Sequence, residues 1–523
     1  MFNFDLEIIK TKINKNSENY KYNYKENTIL IEKLQEEFSK ALYEGETKIL
    51  AKYKKDNRLT PRERIEYLLD PDSPFLELLP IAGWGMDCYK QGSSIVGGIG
   101  VVSNKICVII SHLGTIKGGA IDGVTLQKMQ RINDIAKENK LIFINLMESS
   151  GANLTKQDEI FNYAGTIFKD ITNRSKNGLP TISAVFGSCA AGGAYVPSVS
   201  DYVIMTKDSS KMFVSGSVLV KLATGETTDD YSLGGADLHS RISGASDYLV
   251  DNEYQAIKKI RELVYYFKDY DEIYKQDDTV EEPLYNSNEI LGVISNNVKI
   301  PFDIKELIAR IVDGSKFSEF KKDYGITIVT GFAKINGFKV GIIGNNGVLF
   351  SDTSNKAAQF VQLCNNNNVP IIFLQNITGF IVGKKYEEEG ILKHGGKMLN
   401  TIANSEVPLI TILVGASYGA GNFAMCGRSI KPSFLFSYPN SKNCVMGSEQ
   451  ISGVLKMISK NEHDFDEMNK NLENQAMPYF TSGRMWDDGI INPKETRTYL
   501  SMCLEIFSKQ YTKPNPNYGV FRF

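Results

Sequence analysis

The sequence has almost no excess charge of either sign and only four histidines among its 523 residues. Lys and Arg number 59 against 61 Asp and Glu, so the net charge is -2. Without a broad basic field, the chain is not expected to bind nucleic acid. His112, His239, His394 and His463 are not spaced as metal ligands, so no metal site is predicted and each is expected to be a surface or packed residue.

Cysteine pairs and long apolar runs are also missing. The seven cysteines lie far apart and form no CxxC pair, which argues against a zinc ribbon and favours a reducing compartment. No apolar run approaches the ~20 residues that span a bilayer. The first residues lack the layout of a signal peptide. We therefore expect a cytoplasmic protein, or one of the mitochondrial matrix if the source is eukaryotic, and no membrane partner.

Several nucleotide-binding and nucleophile motifs do not occur. There is no GxxxxGK[ST] phosphate loop and no GxSxG elbow. Gly97, Gly98 and Gly100 form a glycine cluster that does not match the dinucleotide fingerprint. Few side chains remain as obvious acids or bases, so the sequence directs attention to the backbone as a source of catalytic donors.

The amino-acid composition and hydrophobic pattern change along the chain. Residues 1–57 are polar and rich in Lys and Glu, which predicts an N-terminal helical extension. Thr60 and Pro61 predict a helix start, with Thr60 as the N-cap. From about residue 94, β-branched runs alternate with glycine clusters and helix-length segments, which indicates an α/β layered fold. The acidic, Asn-rich stretch 268–300 is the predicted linker.

The second half of the chain resembles the first. Gly151 aligns with Gly379, 228 residues later, where each follows a predicted buried strand. In the next loop of each half, Ala191 and Gly192 align with Ala420 and Gly421, at an offset of 229. Two segments that match in order predict two copies of one α/β domain.

Each half carries two glycine-containing loops that follow strands. They span 148–153 and 187–194 in the first half, and 375–380 and 415–422 in the second. A lone glycine cluster is usually only a tight turn. Two backbone N–H groups aimed at one point form an oxyanion hole, so matched loops in both halves predict two sites for two carbonyl groups.

Several longer strings carry a resemblance to a known family. They lie at 187–197, 223–226, 233–239, 302–315, 344–350, 373–380, 418–422 and 486–491. At these positions the chain resembles the carboxyltransferase β subunit of biotin-dependent acyl-CoA carboxylases, nearest the methylcrotonoyl-CoA carboxylase β type. The resemblance covers about residues 58–500.

The resemblance implies an α/β fold of two tandem crotonase-like (ClpP-like) ββα superhelix domains. It places an acyl-CoA domain at 58–270 and a biotin domain at 271–523, after the extension 1–57. It further implies a homo-oligomer with a β6 core, a trimer of dimers whose active sites lie at dimer interfaces. The chain has no AlaMetLysMet biotin-attachment sequence and no evident ATP-grasp segment. The biotin is therefore expected on a partner, the biotin carboxylase and biotin carrier (α) subunit.

The resemblance also assigns roles by position. The amides of Ala191 and Gly192 would stabilise the thioester enolate, and those of Ala420 and Gly421 the ureido oxygen of biotin. Lys117 would meet a CoA phosphate as a point charge, and the stretch 324–352 resembles the acyl-CoA-binding segment. The expected substrate-binding residues are Lys117, Gly118, Gly119, Gly151, Gly344, Asn345, Asn346, Gly347, Gly379 and Phe380.

The sequence departs from the family in two segments, and the first of them, 215–221, is a loop that borders the acyl pocket in the family. Residues 215–221 replace a GlyProProLeuValLys loop, and 121–123 replace an aromatic-rich TyrTyrPro. The acyl group is therefore open: 3-methylcrotonyl-CoA is expected, with propionyl-, acetyl-, geranyl- or longer acyl-CoA as alternatives. A biotin-dependent decarboxylase would use the same two loops, and a catalytically silent structural subunit is a further alternative. A simple crotonase-type hydratase is disfavoured by the second domain and by the absence of a paired-carboxylate signal.

Overall fold

The structure is a computed structural model that describes residues 7–277, 279–297, 300–447, 450, 451, 453 and 465–510. Its contacts divide the chain into two compact units. We call Ser39–Ile273 with Lys509–Phe523 the amino unit, and Tyr274–Ser508 with Met1–Phe38 the carboxy unit. No helix in the described part of the chain combines the length and hydrophobicity that a membrane span requires.

The amino unit contains an eight-stranded sheet in the order β1-β2-β3-β4-β5-β6-β8, with β7 paired to β5. Its strands are β1 Phe75–Glu77, β2 Ile95–Val102, β3 Lys105–His112, β4 Ile142–Ser149, β5 Thr181–Ala190, β6 Tyr202–Thr206, β7 Lys211–Phe213 and β8 Tyr248–Val250. From β3 to β6 the neighbouring strands run parallel, and every residue of β3 and β4 is buried. Parallel strands buried on both faces require the continuous apolar runs seen in the sequence.

Helices connect and cover these strands. In the amino unit they are α2 Thr47–Lys55, α3 Pro61–Leu68, α4 Gly123–Glu138, α5 Gln157–Lys176, α6 Gly192–Ser198, α7 Ser217–Thr224, α8 Asp230–Gly234, α9 Ala236–Arg241 and α10 Glu253–Tyr266. Helix α1, Glu18–Ala41, belongs up to Phe38 to the carboxy unit. The predicted start of α3 is confirmed, since Thr60 and Glu63 form a reciprocal capping box and Pro61 is the first helical residue.

The carboxy unit repeats this plan with a seven-stranded sheet in the order β10-β11-β12-β13-β14-β15, with β16 paired to β14. A separate two-stranded pair in the amino unit joins β9 Asp271–Glu272 to β17 Lys509–Gln510. The strands of the carboxy sheet are β10 Ser318–Glu319, β11 Ile328–Ile335, β12 Phe338–Asn345, β13 Ile371–Ile377, β14 Leu409–Tyr418, β15 Phe434–Ser437 and β16 Lys442–Cys444. Its helices are α11 Ile290–Val293, α12 Ile304–Ile308, α13 Ser351–Asn366, α14 Lys384–Glu388, α15 Ile391–Ala403, α16 Gly419–Ala424, α17 Phe465–Ala476, α18 Pro478–Gly483 and α19 Thr496–Ser508.

The predicted duplication is confirmed, and the structure corrects its alignment. Helices α4 and α13 differ by 228 residues at both ends, and so do strands β5 and β14. Both copies contain the same irregularity, where β4 shifts register against β5 and β13 shifts against β14. One offset of 228 therefore runs from the first helix through the second glycine loop. The offset of 229 predicted for that loop is wrong by one residue.

The stretch predicted to be a linker is partly core. Helix α11 is fully buried, and its carbonyl groups accept hydrogen bonds from a side chain of the N-terminal segment. The Asn27 amide donates to the carbonyl oxygens of Leu291, at 2.8 Å, and of Ile294, at 3.0 Å. The acidic composition of the segment hid this short apolar run, which packs against Asn27, 264 positions earlier in the chain.

Candidate active site

In the amino unit, three loops meet at the ends of the parallel strands. The N–H of Ser150 donates to the carbonyl of Gly118 at 2.8 Å, and the Ser149 hydroxyl donates to that of Gly119 at 2.9 Å. Gly119 must be glycine here, because a Cβ would lie 2.1 Å from the Glu148 carbonyl oxygen and its φ is positive. The predicted residues Lys117, Gly118 and Gly119 are thus brought against the loop that contains Gly151.

The loop that contains Gly151 also contacts the turn after β5. A Cβ on Gly151 would lie 2.8 Å from the Ala190 carbonyl oxygen, and one on Gly193 would lie 2.9 Å from that of Ser149. Lys117 is exposed beside this cluster. Small residues therefore let three main-chain segments approach each other, with a cation at the edge.

The turn after β5 places its amides in a particular order. Ala191 has φ 49° and ψ -121°, a conformation that non-glycine residues rarely adopt. Its N–H donates to the carbonyl of Phe213 on β7, at 3.1 Å. Gly192 and Gly193 follow in the first turn of α6, where no preceding turn supplies carbonyl acceptors.

These observations revise the predicted donor pair. Ala191 was predicted as a donor, but its N–H already has an acceptor inside the unit. With the offset of 228, Gly192 and Gly193 correspond to Ala420 and Gly421. Burial agrees, since the first residue of each pair is exposed and the second is buried. The residues of the amino unit that correspond to Ala420 and Gly421 are thus Gly192 and Gly193, one residue later than the pair Ala191 and Gly192.

The carboxy unit builds the same arrangement from its own loops. The N–H of Leu349 donates to the Gly379 carbonyl at 3.1 Å, as that of Ile121 donates to the Gly151 carbonyl at 2.9 Å. A Cβ on Gly421 would lie 2.7 Å from Ile377 and 3.1 Å from the Cα of Gly379. Gly379 itself, with φ 136°, leaves open space, because a Cβ there would meet nothing within 4 Å. Predicted residues Gly379, Ala420 and Gly421 are thus brought together.

Phe380 lies on one side of this arrangement. It is half-buried and pairs as an isolated bridge with Leu349. A Cβ on Gly395 of α15 would lie 2.9 Å from its ring. The ring therefore packs between the loop and α15, which fixes the loop that carries Gly379.

Residues 344–347, part of the predicted acyl-CoA-binding stretch 324–352, lie in the carboxy unit. By the offset of 228, Gly347 takes the place that Gly119 holds in the amino unit. Gly344 and Asn345 end strand β12 and are buried, and both polar atoms of the Asn345 side chain lack a partner among the described residues. Asn346 is held by its own unit, since its side-chain oxygen accepts from the N–H of Ile304 at 2.7 Å. Of this segment, Asn346 and Gly347 reach the surface.

Behind the amino loops lies a buried network of charges. Glu148 accepts from Arg64 at 3.0 Å and from Arg58 at 2.8 Å, and Arg64 also binds Glu253 at 2.9 Å. Burial opposes ionisation of Glu148, but the two guanidinium groups hold its pKa below the ordinary value. A Cβ on Gly187 would lie 2.4 Å from the carboxylate. The network therefore holds the ends of β4 and β5 together. It provides no general base to the loops.

The histidines offer no alternative chemistry at these loops. His112 is fully buried at the end of β3, and burial lowers its pKa to about 4. His239 bonds to Ser243 and to the Met212 carbonyl, and His394 bonds to Asn355; His463 lies outside the described residues. Within the described ranges, no three His, Cys, Asp or Glu side chains are grouped to hold a metal ion.

Sequence reasoning missed several residues of the site. Gly193 was overlooked because the alignment was one residue out. Ser149 and Ser150 join two loops through their hydroxyl and amide groups. Gln375 carries a buried amide beneath the second loop of the carboxy unit. Its position directly after the apolar run 371–374 was the one available signal.

Comparisons with known proteins agree with this arrangement. The carboxyl transferase domain family matches residues 52–521. The chain is 46% identical over 510 residues to a probable biotin-dependent acyl-coenzyme A carboxylase beta2 subunit of Mycobacterium tuberculosis, which covers 94% of this chain and 96% of the relative. It is 41% identical over 535 residues to the mitochondrial methylcrotonoyl-CoA carboxylase beta chain of Dictyostelium discoideum, covering 98% and 91%.

A solved structure shows the same fold. The β subunit of Pseudomonas aeruginosa geranyl-CoA carboxylase superposes with a TM-score of 0.92 at 37% identity, and covers 99% of this chain and all of that one. The predicted fold class, two tandem crotonase-like domains, is confirmed, as is the resemblance to carboxyltransferase β subunits. The chain belongs to the carboxyl transferase domain family and is a β-type subunit of the biotin-dependent acyl-CoA carboxylases.

Proposed function

We propose that this chain transfers the carboxyl group of carboxybiotin, presented by a partner α subunit, to an acyl-CoA held at the amino unit. The observation that carries the proposal is the repeated pair of turn amides, Gly192 with Gly193 and Ala420 with Gly421, each beside a second glycine loop. Two carbonyl-type oxygens gain charge in this reaction, and the chain offers one pair of amides for each.

At the amino unit, the proposed task is to stabilise an enolate. Loss of a proton from the acyl group places negative charge on the thioester oxygen, where fixed N–H donors act most strongly. The amides of Gly192 and Gly193 are proposed as those donors. Removal of one such donor typically costs about 10²–10³ in rate. Lys117, exposed at the edge of the loops, is proposed to meet a CoA phosphate.

At the carboxy unit, the proposed ligand is the ureido oxygen of biotin. The residues present fit such a group: Ala420 is exposed, and the empty space above Gly379 leaves room for a ring. When bound, biotin supplies the carboxyl group and, after its release, a nitrogen that can take the substrate proton. The amides of Ala420 and Gly421 are proposed to hold the charge on the ureido oxygen, and Asn346, Gly347 and Phe380 to border this site.

The proposed acyl group is 3-methylcrotonyl. The 41% identity to a methylcrotonoyl-CoA carboxylase beta chain supports this choice. The fold match to a geranyl-CoA carboxylase subunit supports the longer acyl alternative, geranyl-CoA. Geranyl-CoA and 3-methylcrotonyl-CoA are both β-methyl-branched enoyl thioesters. In either substrate, loss of the vinylogous γ proton places the negative charge on the same thioester oxygen.

We propose further that the chain assembles into a β6 core, a trimer of dimers in which the amino unit of one protomer faces the carboxy unit of a partner. Large apolar side chains beside the loops support this assembly. Leu154 and Val382, at matching positions of the two units, are both 81% exposed. Val218 and Leu222 of α7 are exposed as well. Apolar rims of this kind mark contact surfaces in soluble proteins.

The test uses the purified full-length chain with free biotin and 3-methylglutaconyl-CoA. Release of CO₂ that depends on both compounds is the expected result. The variants Gly193→Val and Gly421→Val should each lose about 100-fold or more of that activity, because each added side chain displaces one amide pair. Reconstitution with the α subunit then ranks 3-methylcrotonyl-, geranyl-, propionyl- and acetyl-CoA under matched conditions.

Two outcomes would contradict the proposal. If both valine variants fold and retain full activity, the turn amides are not the donors. If the wild-type chain, alone and reconstituted with the α subunit, transfers no carboxyl group to any of the four acyl-CoA compounds, the chain is a structural subunit. Sedimentation of the wild type and of Leu154→Glu tests the assembly, which should dissociate in the variant.

A further inference from the structure

Four positions beneath the second glycine loop differ in chemistry between the two units; in the carboxy unit three are buried and Asn443 is half-buried. In the carboxy unit they are occupied by Gln375, Ser417, Asn422 and Asn443; in the amino unit the equivalent residues are Met147, Cys189, Ala194 and Met212. One unit therefore places amides and a hydroxyl where the other places sulfur and methyl groups.

The equivalence of these positions follows from strand pairing. Cys189 on β5 pairs with Met212 on β7, and Ser417 on β14 pairs with Asn443 on β16 in the same parallel register. The remaining two positions are related by the offset of 228 that holds throughout β4, β5 and α6. The difference is thus one of side chains on a shared scaffold.

In the carboxy unit the four polar side chains form one hydrogen-bonded network. The Asn422 amide donates to the Ser417 hydroxyl at 2.6 Å and to the Asn443 side-chain oxygen at 3.3 Å. The Ser417 hydroxyl donates to the side-chain oxygen of Gln375 at 2.5 Å. Gln375 and Ser417 are fully buried and Asn422 is 8% exposed.

The network ends on the main chain of the turn itself. The Gln375 amide donates to the carbonyl oxygen of Asn422, at 3.4 Å, and to that of Met425. Asn422 directly follows Ala420 and Gly421, and Gln375 lies on β13, which leads into the loop that contains Gly379. Gln375 therefore fastens both loops of the carboxy site to each other.

The amino unit shows that the scaffold does not need this network in order to fold. Met147, Cys189, Ala194 and Met212 belong to one apolar core cluster. Buried polar groups cost free energy unless every partner is in place, and a satisfied network in return fixes a single geometry. A polar network that occurs in only one unit therefore indicates that the loops of that unit must be held in one fixed geometry.

We infer that Gln375, Ser417, Asn422 and Asn443 are positioning residues that fix the amides of Ala420 and Gly421 for the ligand of the carboxy unit. The inference rests on the proposed function, in which that ligand is the ureido group of biotin. None of the four side chains touches the reacting atoms in this scheme. They act by holding two donors within the ~0.5 Å tolerance that such sites require.

The amino unit itself supplies the substitutions for a test. Gln375→Met and Asn422→Ala each introduce the residue of the other unit, and a fourfold variant, Q375M/S417C/N422A/N443M, transplants the whole apolar cluster. The assay is CO₂ release from 3-methylglutaconyl-CoA by the full chain with free biotin. We expect kcat/KM for biotin to fall about 10- to 100-fold, because a misplacement of ~1 Å costs about 10²-fold. KM for the CoA thioester should stay within about twofold, because the amino loops keep their geometry.

The fourfold variant separates positioning from folding. It removes the buried polar groups together with their partners, so its Tm should exceed that of Gln375→Met, in which the Ser417 hydroxyl loses its acceptor. Its kcat/KM for biotin should nevertheless stay low. Thr411→Val is the matched control, since it removes a buried hydrogen bond to the Cys426 carbonyl in the same unit, outside the network. It should keep the wild-type value for biotin.

The possible results test the inference and the proposed function separately. If the fourfold variant regains both Tm and wild-type kcat/KM for biotin, the network serves folding alone and the inference is wrong. Equal losses for biotin and the CoA thioester would also overturn it, because they indicate general damage. If the wild type, alone and with the α subunit, shows no biotin-dependent activity, the proposed function fails, whatever the variants do.

Discussion

The revised donor pair makes a prediction that distinguishes two neighbouring glycines. A methyl group on Gly193 would lie 2.9 Å from the carbonyl oxygen of Ser149, whereas one on Gly192 would come no closer than 3.9 Å to Phe168. An ordinary contact needs roughly 3.4 Å or more, so Gly193→Ala must shift the turn by about 0.5 Å. We expect Gly193→Ala to lower kcat/KM for the CoA thioester about 10- to 100-fold. Gly192→Ala should cost far less, because the equivalent Ala420 already carries that methyl group.

The assay is biotin-dependent CO₂ release with the CoA thioester varied, alongside thermal unfolding of both variants. If Gly193→Ala keeps the wild-type KM for the CoA thioester and loses kcat, the hydrogen bonds from these amides are made in the transition state. A larger loss for Gly192→Ala than for Gly193→Ala would refute the revised pair and return the assignment to Ala191 and Gly192.

Three further predictions concern charge. Lys117→Ala should raise KM for acyl-CoA about three- to tenfold and weaken the salt dependence of that KM, with KM for biotin unchanged, as steady-state kinetics at two ionic strengths would show. Arg64→Met should lower the free energy of unfolding by about 3–5 kcal/mol in denaturant titrations, because it removes one of the two cations, Arg64 and Arg58, that the buried Glu148 and Glu253 share; an unchanged midpoint would contradict this. Burial raises the pKa of Asp487 to about 6, so its contribution to stability is present below pH 4 and lost as the pH rises through 6. Relative to the wild type, Asp487→Asn should therefore gain about 2–3 kcal/mol between pH 4 and pH 7, measured by unfolding at each pH; a constant difference would contradict the assignment.

Local and repeated features could be predicted from the sequence. The capping box at Thr60 depends on residues three positions apart, and the prediction of Thr60 as the N-cap is confirmed. The duplication was visible because Gly151 and Gly379 each follow a buried strand. Family strings then directed attention to turns that require glycine, because a Cβ there would lie less than 3 Å from a neighbouring main-chain segment.

Other features depend on contacts that sequence spacing does not encode. The acceptor of the Ala191 N–H lies on β7, more than 20 residues later, so the loss of that donor could not be seen in the loop. Asn345 was expected to bind substrate, and the sequence did not show that strand β12 continues through it and buries its side chain. The polar network around Gln375 required four residues from three strands and a helix.

The division of the chain ends between the two units has a consequence for synthesis. The segment up to Phe38 belongs with residues from Tyr274 onward, and β17, near the far end, pairs with β9 of the amino unit. At a translation rate of ~5–20 residues per second, the leading segment leaves the ribosome roughly 10–60 s before its packing surface exists. Neither half can be expressed as a continuous fragment that keeps all of its own secondary structure. Gene designs that separate the halves will need to splice these end segments onto the units they complete.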